Sequence, residues 1–257
     1  MMENSTVLLK SVRFRCKEIE SQEGETTTDR QEKVQGYKQE IMNGLTVSLI
    51  GAGGLGGEIA RGLVRKGVGR LKIFDGDTVE ISNLSRQYFY EEDLYKNKAV
   101  CLAQNLVKEG IRKTEIIAYP FMFQGAVEER IDTSCNICVC APDNDEARIF
   151  ISKHFGSAPV VFTGLDRQAN TGYIFIQEPG KAGFLDAFPK SANKKRNPCP
   201  GTPAIIDIVK IVAGYILFAI DSVVMERKTN WNYRQFYMAG FVPEVVKKIE
   251  KRDVLPA

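Results

Sequence analysis

A buried strand, a glycine-rich turn and a helix follow one another in residues 45–67, LTVSLIGAGGLGGEIARGLVRKG. The turn fits the pattern G-x-G-x-x-G, which carries meaning only between a strand and a helix. Its glycines let the backbone approach a phosphate, and the N-terminus of the helix attracts the phosphate charge. The segment therefore predicts a nucleotide held by Gly51, Gly53, Gly54 and Gly56.

Strands and helices continue to alternate after this unit. The runs RLKIFD, EIIAYP, CNICVCA, PVVFTG and GYIFIQ read as strands. The runs NKAVCLAQNLVKEG and DEARIFISKHFG read as helices, closed by glycines as the first helix is closed by Gly67. This alternation predicts a Rossmann-like, doubly wound α/β fold, in which a mostly parallel sheet carries helices on both faces.

The chain divides into an extension and one large domain. Residues 1–40 are polar and charged, which predicts an N-terminal arm with a short strand in TVLLKSVRF. In residues 41–257 the alternation stops at about residues 178–202, a polar loop with four prolines. Long loops of this kind inside a compact domain are commonly functional. Helices are predicted after the loop, in PAIIDIVKIVAGYILFAIDSVV and PEVVKKIEKR.

Charge and cysteine content narrow the function classes. A net charge of +3 over 257 residues gives little support to a nucleic-acid or membrane partner. The apolar run IVAGYILFAI is about half as long as a membrane span, and no signal peptide is recognisable. Six cysteines without a targeting signal lead us to expect a cytoplasmic protein with reduced thiols. A zinc site is not expected, because the cysteines of CNICVCA lack a second pair of ligands.

Acidic and basic residues follow the strands that border the glycine turn. Asp75 ends the second strand, 19 residues after Gly56, where a carboxylate can hold a ribose hydroxyl. Arg86 and Lys98 add cations at the same edge, and Asp143 could hold Mg²⁺ there. A triphosphate carries about four charges and usually recruits such groups, so the set favours ATP over NAD. The alternative makes the cations solvated surface charges and Asp143 the N-cap of a helix.

The combined pattern GAGGLG…DGDTVEISNLSRQ…KNKA…PDNDEAR resembles the ThiF/MoeB/HesA family, bacterial relatives of ubiquitin-activating enzymes, over residues 30–225. Members adenylate the C-terminal glycine of a ubiquitin-like protein and release pyrophosphate. The resemblance implies ATP and Mg²⁺ as cofactors, with phosphates on the glycine turn and Mg²⁺ on Asp143. It further implies that polar side chains complete the nucleotide site, namely those of Asp75, Asp77, Asn83, Gln87 and Asn144. Catalytic roles are implied for Arg86, Lys98 and Asp143.

The resemblance extends to an arm and to a cysteine. Arg30–Gln31 matches a family arm whose arginine reaches the ATP of the other subunit, which implies a homodimer and a catalytic Arg30. Cys199 lies in the proline-rich loop where relatives that form thioesters or transfer sulfur carry a cysteine. KKR at 194–196 could lower its pKa, and the alternative is an unreactive loop thiol. The family's zinc-binding pairs are missing, its usual glycine is replaced by Tyr95, and Pro142 replaces a threonine.

Other functions remain as alternatives to adenylation of a small ubiquitin-like protein. An NAD-dependent oxidoreductase would bind NAD in place of ATP and Mg²⁺. A tRNA-modifying member of the same family would need a basic face. A third alternative is a non-catalytic half of a heterodimer, although such halves usually lose the arginine and lysine that are present here.

Overall fold

The fold is built on one sheet. The computed structural model describes residues 11–21, 23–166, 171–193, 204–226, 230–237 and 245–251. Within these residues nine strands pair in the order β1-β4-β3-β2-β5-β6-β7-β8-β9. In chain order they are β1 (Val12–Arg15), β2 (Thr46–Ile50), β3 (Arg70–Phe74), β4 (Glu115–Tyr119), β5 (Ile137–Cys140), β6 (Val160–Leu165), β7 (Thr171–Gln177), β8 (Tyr233–Tyr237) and β9 (Val245–Lys247).

The centre of the sheet is parallel and its margins are antiparallel. Strands β4, β3, β2, β5 and β6 pair in parallel. On one side β1 pairs antiparallel with β4, and on the other β7, β8 and β9 each pair antiparallel with the strand before them. The predicted α/β fold is confirmed, and its parallel part is the five-strand centre that positions the nucleotide site.

Helices cover both faces of this sheet. In chain order they are α1 (Asp29–Glu32), α2 (Gln39–Gly44), α3 (Gly54–Arg65), α4 (Lys98–Leu106), α5 (Phe123–Glu128), α6 (Asp145–His154), α7 (Phe184–Ala187) and α8 (Ile206–Val224). One core lies between the sheet and α3, α4 and α8, and a second lies between the sheet and α5, α6 and α7. None of the helices in the described part of the chain has the length and apolarity of a bilayer span.

Alternate residues of β5 belong to the two cores. Ile137 and Val139 contribute to the first core, and Cys138 and Cys140 contribute to the second. This is the side-chain alternation of a strand buried on both faces. Burial raises the pKa of the Cys138 and Cys140 thiols, which keeps them protonated at neutral pH. No group of three or more potential metal-ligating side chains occurs in the residues that the structure describes.

Part of the predicted long loop is helical. It contains α7 and a 3₁₀ helix, Pro189–Asn193. Phe184 of α7 is buried in the second core, where its ring lies 5.1 Å from Phe162 and 4.7 Å from Phe188. These rings anchor the first half of the loop, and residues 194–203 lie outside the described residues.

The prediction of a final helix in PEVVKKIEKR is wrong. Residues of this run form β9, which pairs antiparallel with β8. Asn232 fixes the chain beyond β9, since its side chain accepts from Ile249 N at 2.6 Å and donates to Ile249 O at 2.9 Å. The backbone groups of a sheet margin favour a strand here, and two adjacent valines suit that conformation.

A glycine follows the C-cap in two of the three helices for which the sequence predicts it. Gly67 has φ of +77° after the end of α3, as expected for a glycine at that position. Gly156 likewise follows the C-cap of α6, Phe155, but without a positive φ. The prediction is wrong for Gly110, because α4 ends at Leu106 and Gly110 lies against Cys16 next to β1. A Cβ on Gly110 would lie 2.3 Å from the Cβ of Cys16, so this glycine permits close packing.

We predict that Gly110→Ala destabilises the protein by roughly 1–3 kcal/mol, because the added methyl group overpacks a closed contact. Gly125 in α5 supplies the control, since a Cβ there would meet no atom within 4 Å. Gly125→Ala should raise stability by about 0.5–1 kcal/mol, as expected for alanine in a helix. Urea denaturation of both variants measures the two effects, and equal stabilities would contradict the assignment of Gly110 to a packing contact.

Candidate functional site

Most of the predicted site residues lie on segments that leave the sheet where the strand order reverses. Strand β2 lies between β3 and β5, so the chain leaves the carboxyl ends of these strands in different directions. A crevice outside such ends is the usual ligand site of an open parallel sheet. Three segments border it here, the glycine turn after β2, the segment from Asp75 to Lys98 after β3, and residues 141–145 after β5.

The glycine turn is closed on one side and open on the other. Gly51 has φ of +94°, and a Cβ there would lie 2.8 Å from Ala141 O. A Cβ on Gly56 would lie 1.9 Å from Gly51 O, so the start of α3 depends on glycine. At Gly53 the nearest atom to a Cβ would be Gln87 Nε2, at 4.0 Å. This open space beside the N-terminus of α3, which we call the cradle, lies where the backbone N–H groups of a helix start attract a phosphate.

Asp75 joins the turn to the end of β3. Its Oδ2 accepts the N–H of Ala52 at 2.7 Å, and its Oδ1 accepts the N–H of Asp77 at 2.9 Å. Burial raises the pKa of Asp75, although both backbone hydrogen bonds and Lys98 act against this rise. An ionised carboxylate has about four acceptor positions, so two remain for ribose hydroxyls. The sequence predicted a ribose ligand and did not predict its bond to the turn.

The segment SNLSRQ forms a tight turn beside the cradle. Asn83 is buried and its Oδ1 accepts the N–H of Glu80 at 3.0 Å, so it shapes the 3₁₀ helix Ile81–Asn83. Arg86 donates from Nη1 to Ser82 O at 2.7 Å and remains partly exposed. The buried Oε1 of Gln87 has no hydrogen-bond partner among the described residues. Because buried polar atoms are normally paired, Gln87 Oε1 fits a donor supplied by a ligand or by water.

Lys98 begins α4 and faces Asp77. Its Nζ lies 3.5 Å from Asp77 Oδ2, and its side chain is largely buried. Asn97 before it caps α4 by accepting the N–H of Val100 at 3.1 Å, and donates to Asp75 O at 2.9 Å. Sequence reasoning missed Asn97, although an asparagine directly before a helix is the usual signal of an N-cap. Lys98 is thereby held close to Asp75.

Asp143 lies in the loop between β5 and α6 with its carboxylate exposed. The N-cap of α6 is Asn144, whose Oδ1 accepts the N–H of Ala147 at 2.8 Å, so the alternative role of Asp143 as the cap does not hold. Buried Arg148 fixes this loop by donating to Pro142 O at 2.6 Å and to Asp145 Oδ1 at 2.9 Å. Sequence reasoning missed Arg148, and its spacing of three residues from Asp145 was the available signal.

Arg30 lies far from this crevice within the same chain. Its helix α1 follows buried Thr28, which accepts from Arg112 Nη1 at 3.5 Å. Arg112 in turn contacts Gly67, at the C-terminal end of α3. Since α3 is twelve residues long, this end lies about 18 Å from the glycine turn. Cys199 falls outside the described residues, and its surroundings stay a prediction.

ATP and Mg²⁺ fit the residues at this edge. The open side of the turn at Gly53 and the unpaired Oε1 of Gln87 are the two observations that favour a polar ligand. Mg²⁺ binds one or two carboxylates and takes its other ligands from phosphates and water. Exposed Asp143 is such a carboxylate, and it follows β5, whereas Lys98 follows β3 on the other side of β2. The arrangement is therefore suited to holding a nucleotide whose phosphates extend from Asp75 past the turn.

Known proteins resemble this chain in sequence and in fold. The sequence profile described as ThiF family matches residues 28–252. The NEDD8-activating enzyme E1 catalytic subunit of Dictyostelium discoideum is 28% identical over 210 residues, which cover 73% of this chain and 46% of that protein. Ubiquitin-like modifier-activating enzyme 5 of the same organism is 40% identical over 169 residues, covering 58% and 43%. This chain spans less than half the length of these curated relatives.

Solved structures of E. coli MccB share the fold. MccB crystallised with succinimide has a TM-score of 0.73 and 16% identity, with 90% of this chain and 74% of MccB covered. The structure of MccB with ATP has a TM-score of 0.67 and 17% identity, covering 84% and 66%. At these identities the similarity shows the fold alone.

Proposed function

Because a family profile matches most of it, the chain belongs to the ThiF family, and we propose that it is an ATP-dependent adenylyltransferase. In the proposed reaction a carboxylate oxygen of an acceptor's C-terminal glycine attacks the α-phosphorus of ATP. An acyl-adenylate forms as the bond to the β-phosphate breaks and pyrophosphate leaves. The main support is that Asp75 and Gln87 adjoin one glycine turn. Lys98 pairs with Asp77 two residues after Asp75, and Asp143 belongs to the loop that packs on Gly51.

Each group would act by position and charge. Asp75 would accept the ribose hydroxyls, and the turn and the N-terminus of α3 would bind phosphate. Arg86 and Lys98 would stabilise the charge that develops on the leaving pyrophosphate. Asp143, next to Asn144, would hold Mg²⁺, which neutralises phosphate charge when bound. Such positioning and neutralisation can carry the reaction without a covalent bond to the protein.

The acceptor we propose is a small ubiquitin-like protein with a C-terminal glycine. Support comes from relatives that are named as activating enzymes for NEDD8 and for a ubiquitin-like modifier. A peptide is the second candidate, because MccB, which shares the fold over most of this chain, has been solved with MccA. Exchange of pyrophosphate into ATP in the presence of each candidate acceptor distinguishes the two. Binding of ATP with Mg²⁺ in preference to NAD separates both from an oxidoreductase.

We predict that Arg86→Ala and Asp143→Ala each lower acceptor-dependent ATP–pyrophosphate exchange by about 10²- to 10³-fold, because each removes charge stabilisation of the transition state. The control is Arg15→Ala, which removes an exposed arginine from β1 at the opposite edge of the sheet. Thermal unfolding should be nearly unchanged in all three variants. Near-normal exchange by the double variant would reject this edge as the active site.

The proposed homodimer places Arg30 at the partner's nucleotide. Arg30 lies near the C-terminal end of α3, too far to serve its own glycine turn. Helix α8 runs parallel to α3, since Gly54 adjoins Val209 and Gly62 adjoins Leu217. An antiparallel pairing of two copies over α8 would therefore bring the Arg30 end of one protomer beside the glycine turn of the other.

Helix α8 carries an apolar stripe suited to such pairing. Ile211, Tyr215 and Phe218 are 43%, 41% and 49% exposed and recur at helical spacing on the outer side. Gly214 lies between them and has open space where its Cβ would be, so a second helix could approach closely. A C2 interface brings the same surface of each protomer into contact, which this stripe would satisfy.

We predict that Arg30→Ala and Arg86→Ala subunits complement each other. Each variant alone should be inactive in exchange, because every site lacks one arginine. When the two variants are mixed at random, half of the dimers contain one subunit of each kind. Each such dimer has one complete site and one site that lacks both arginines, so about a quarter of the wild-type activity should return. Phe218→Asp should abolish the complementation and yield a monomer by light scattering. Full activity in a monomeric wild-type protein would reject the arm hypothesis.

Cys199 is proposed to receive the acyl group after adenylation. Its thiolate would attack the adenylate carbonyl, forming a thioester as AMP leaves. We predict that Cys199→Ala retains pyrophosphate exchange, because adenylation needs only the phosphate edge, and loses any thiol-sensitive adduct with the acceptor. Intact mass spectrometry of wild type and variant measures this. The same adduct pattern in both would leave Cys199 as a loop residue.

A further inference from the structure

A buried carboxylate links the phosphate-turn helix to the segment that carries Arg86 and Gln87. Glu109 follows α4 and is 8% exposed. Its Oε1 accepts from Arg61 Nε at 3.0 Å and from the Tyr88 hydroxyl at 2.7 Å, and its Oε2 accepts from Arg65 Nε at 2.7 Å. We name these four residues, Arg61, Arg65, Tyr88 and Glu109, the Glu109 cluster.

The cluster connects three elements whose relative placement determines the shape of the crevice. Arg61 and Arg65 lie on α3, whose N-terminus is the glycine turn. Tyr88 directly follows Gln87 in the chain, and Glu109 lies just beyond α4, which begins at Lys98. One carboxylate therefore joins the supports of the turn, of Arg86–Gln87 and of Lys98.

The ring, the Cβ and the backbone carbonyl of Tyr88 are each in contact with another element. The Arg61 guanidinium lies 5.1 Å from the centre of the Tyr88 ring, and Asn105 donates to Tyr88 O at 3.4 Å. A Cβ on Gly57 would lie 3.4 Å from the Cβ of Tyr88, so this residue packs directly on the first turns of α3. Rotation or displacement of Tyr88 would move Gln87 relative to Gly53.

The chemistry of the cluster requires a carboxylate. Three donors converge on two oxygens, and an amide would replace one acceptor with an NH₂ group facing an arginine. Burial acts to raise the pKa of Glu109, but the hydrogen bonds from Tyr88 and Arg65 and the charges of both arginines hold it below its usual range. Glu109 is thus ionised at neutral pH, and its bonds are charge-assisted.

We infer that Glu109 is a positioning residue that sets Arg86 and Gln87 against the glycine turn through Tyr88. The inference rests on the proposed function, in which these two side chains face the triphosphate. Loss of the cluster should affect binding of the β- and γ-phosphates. The ribose contact should change little, because Asp75 is held by Ala52 and Asp77 and has no contact with the cluster.

The test compares the affinities for ATP with Mg²⁺ and for AMP, measured by equilibrium dialysis with no acceptor present. Glu109→Gln should weaken ATP binding about tenfold and change AMP binding by less than about twofold. Tyr88→Phe removes the single hydroxyl and should cause a similar selective loss. The double variant should be no worse than Glu109→Gln, because both changes break the same connection.

Glu115→Gln is the matched control. Glu115 also pairs with two arginines, Arg13 at 2.9 Å and Arg70 at 2.6 Å, at the amino end of β4. It should lower stability without altering the ratio of the two affinities. If both glutamine variants shift that ratio equally, or if neither Glu109→Gln nor Tyr88→Phe shifts it, the positioning role is rejected. A wild-type protein that binds AMP but has no preference for ATP would instead reject the proposed function.

Discussion

The hydrogen bond from Ala52 N–H to Asp75 holds the ends of β2 and β3 together. This buried hydrogen bond is 2.7 Å long and fixes the glycine turn in its conformation. That conformation requires glycine at positions 51 and 56. Helix α3 starts from this turn and ends beside Arg112, which contacts the α1 region. The cradle and the start of α3 therefore depend on one buried carboxylate, and the other end of α3 lies beside the region of α1.

The sequence carries enough information to predict the parallel centre of the sheet. Strands β2 to β6 are apolar runs separated by helices, and burial on both faces leaves few other conformations open to them. The antiparallel margins are harder to predict from the sequence. Strand β9 begins with two valines within a charged run, and the pattern of its partner strand, β8, was not recognised. Pairing at a sheet margin depends on backbone groups of another segment, which local periodicity does not reveal.

The same limit of local sequence patterns decides which residues of the candidate site can be predicted. Asp75, Arg86, Lys98 and Asp143 follow strands whose ends meet, so topology alone predicts that they face one crevice. Glu109 could not be found in this way, because its partners lie on other elements. For Arg148 only the spacing from Asp145 was visible, since its other bond is to the backbone oxygen of Pro142. The departure at Tyr95 was visible in the sequence, and the structure adds that this tyrosine has φ of +63° where glycine would be unstrained.

The antiparallel margin at β8 determines what the tryptophan fluorescence of the protein reports. The chain contains one tryptophan, Trp231, which is buried in the first core just before β8. In the register of the sheet Tyr233 is level with Phe175, Phe162 and Cys140, and three strands, β7, β6 and β5, lie between β8 and β2. Trp231 is therefore about 19 Å, four strand spacings, to the side of the glycine turn. Its fluorescence consequently reports loss of the sheet margin and is insulated from ligands at the glycine turn. The fluorescence of Trp231 can therefore measure unfolding independently of nucleotide binding in the same sample.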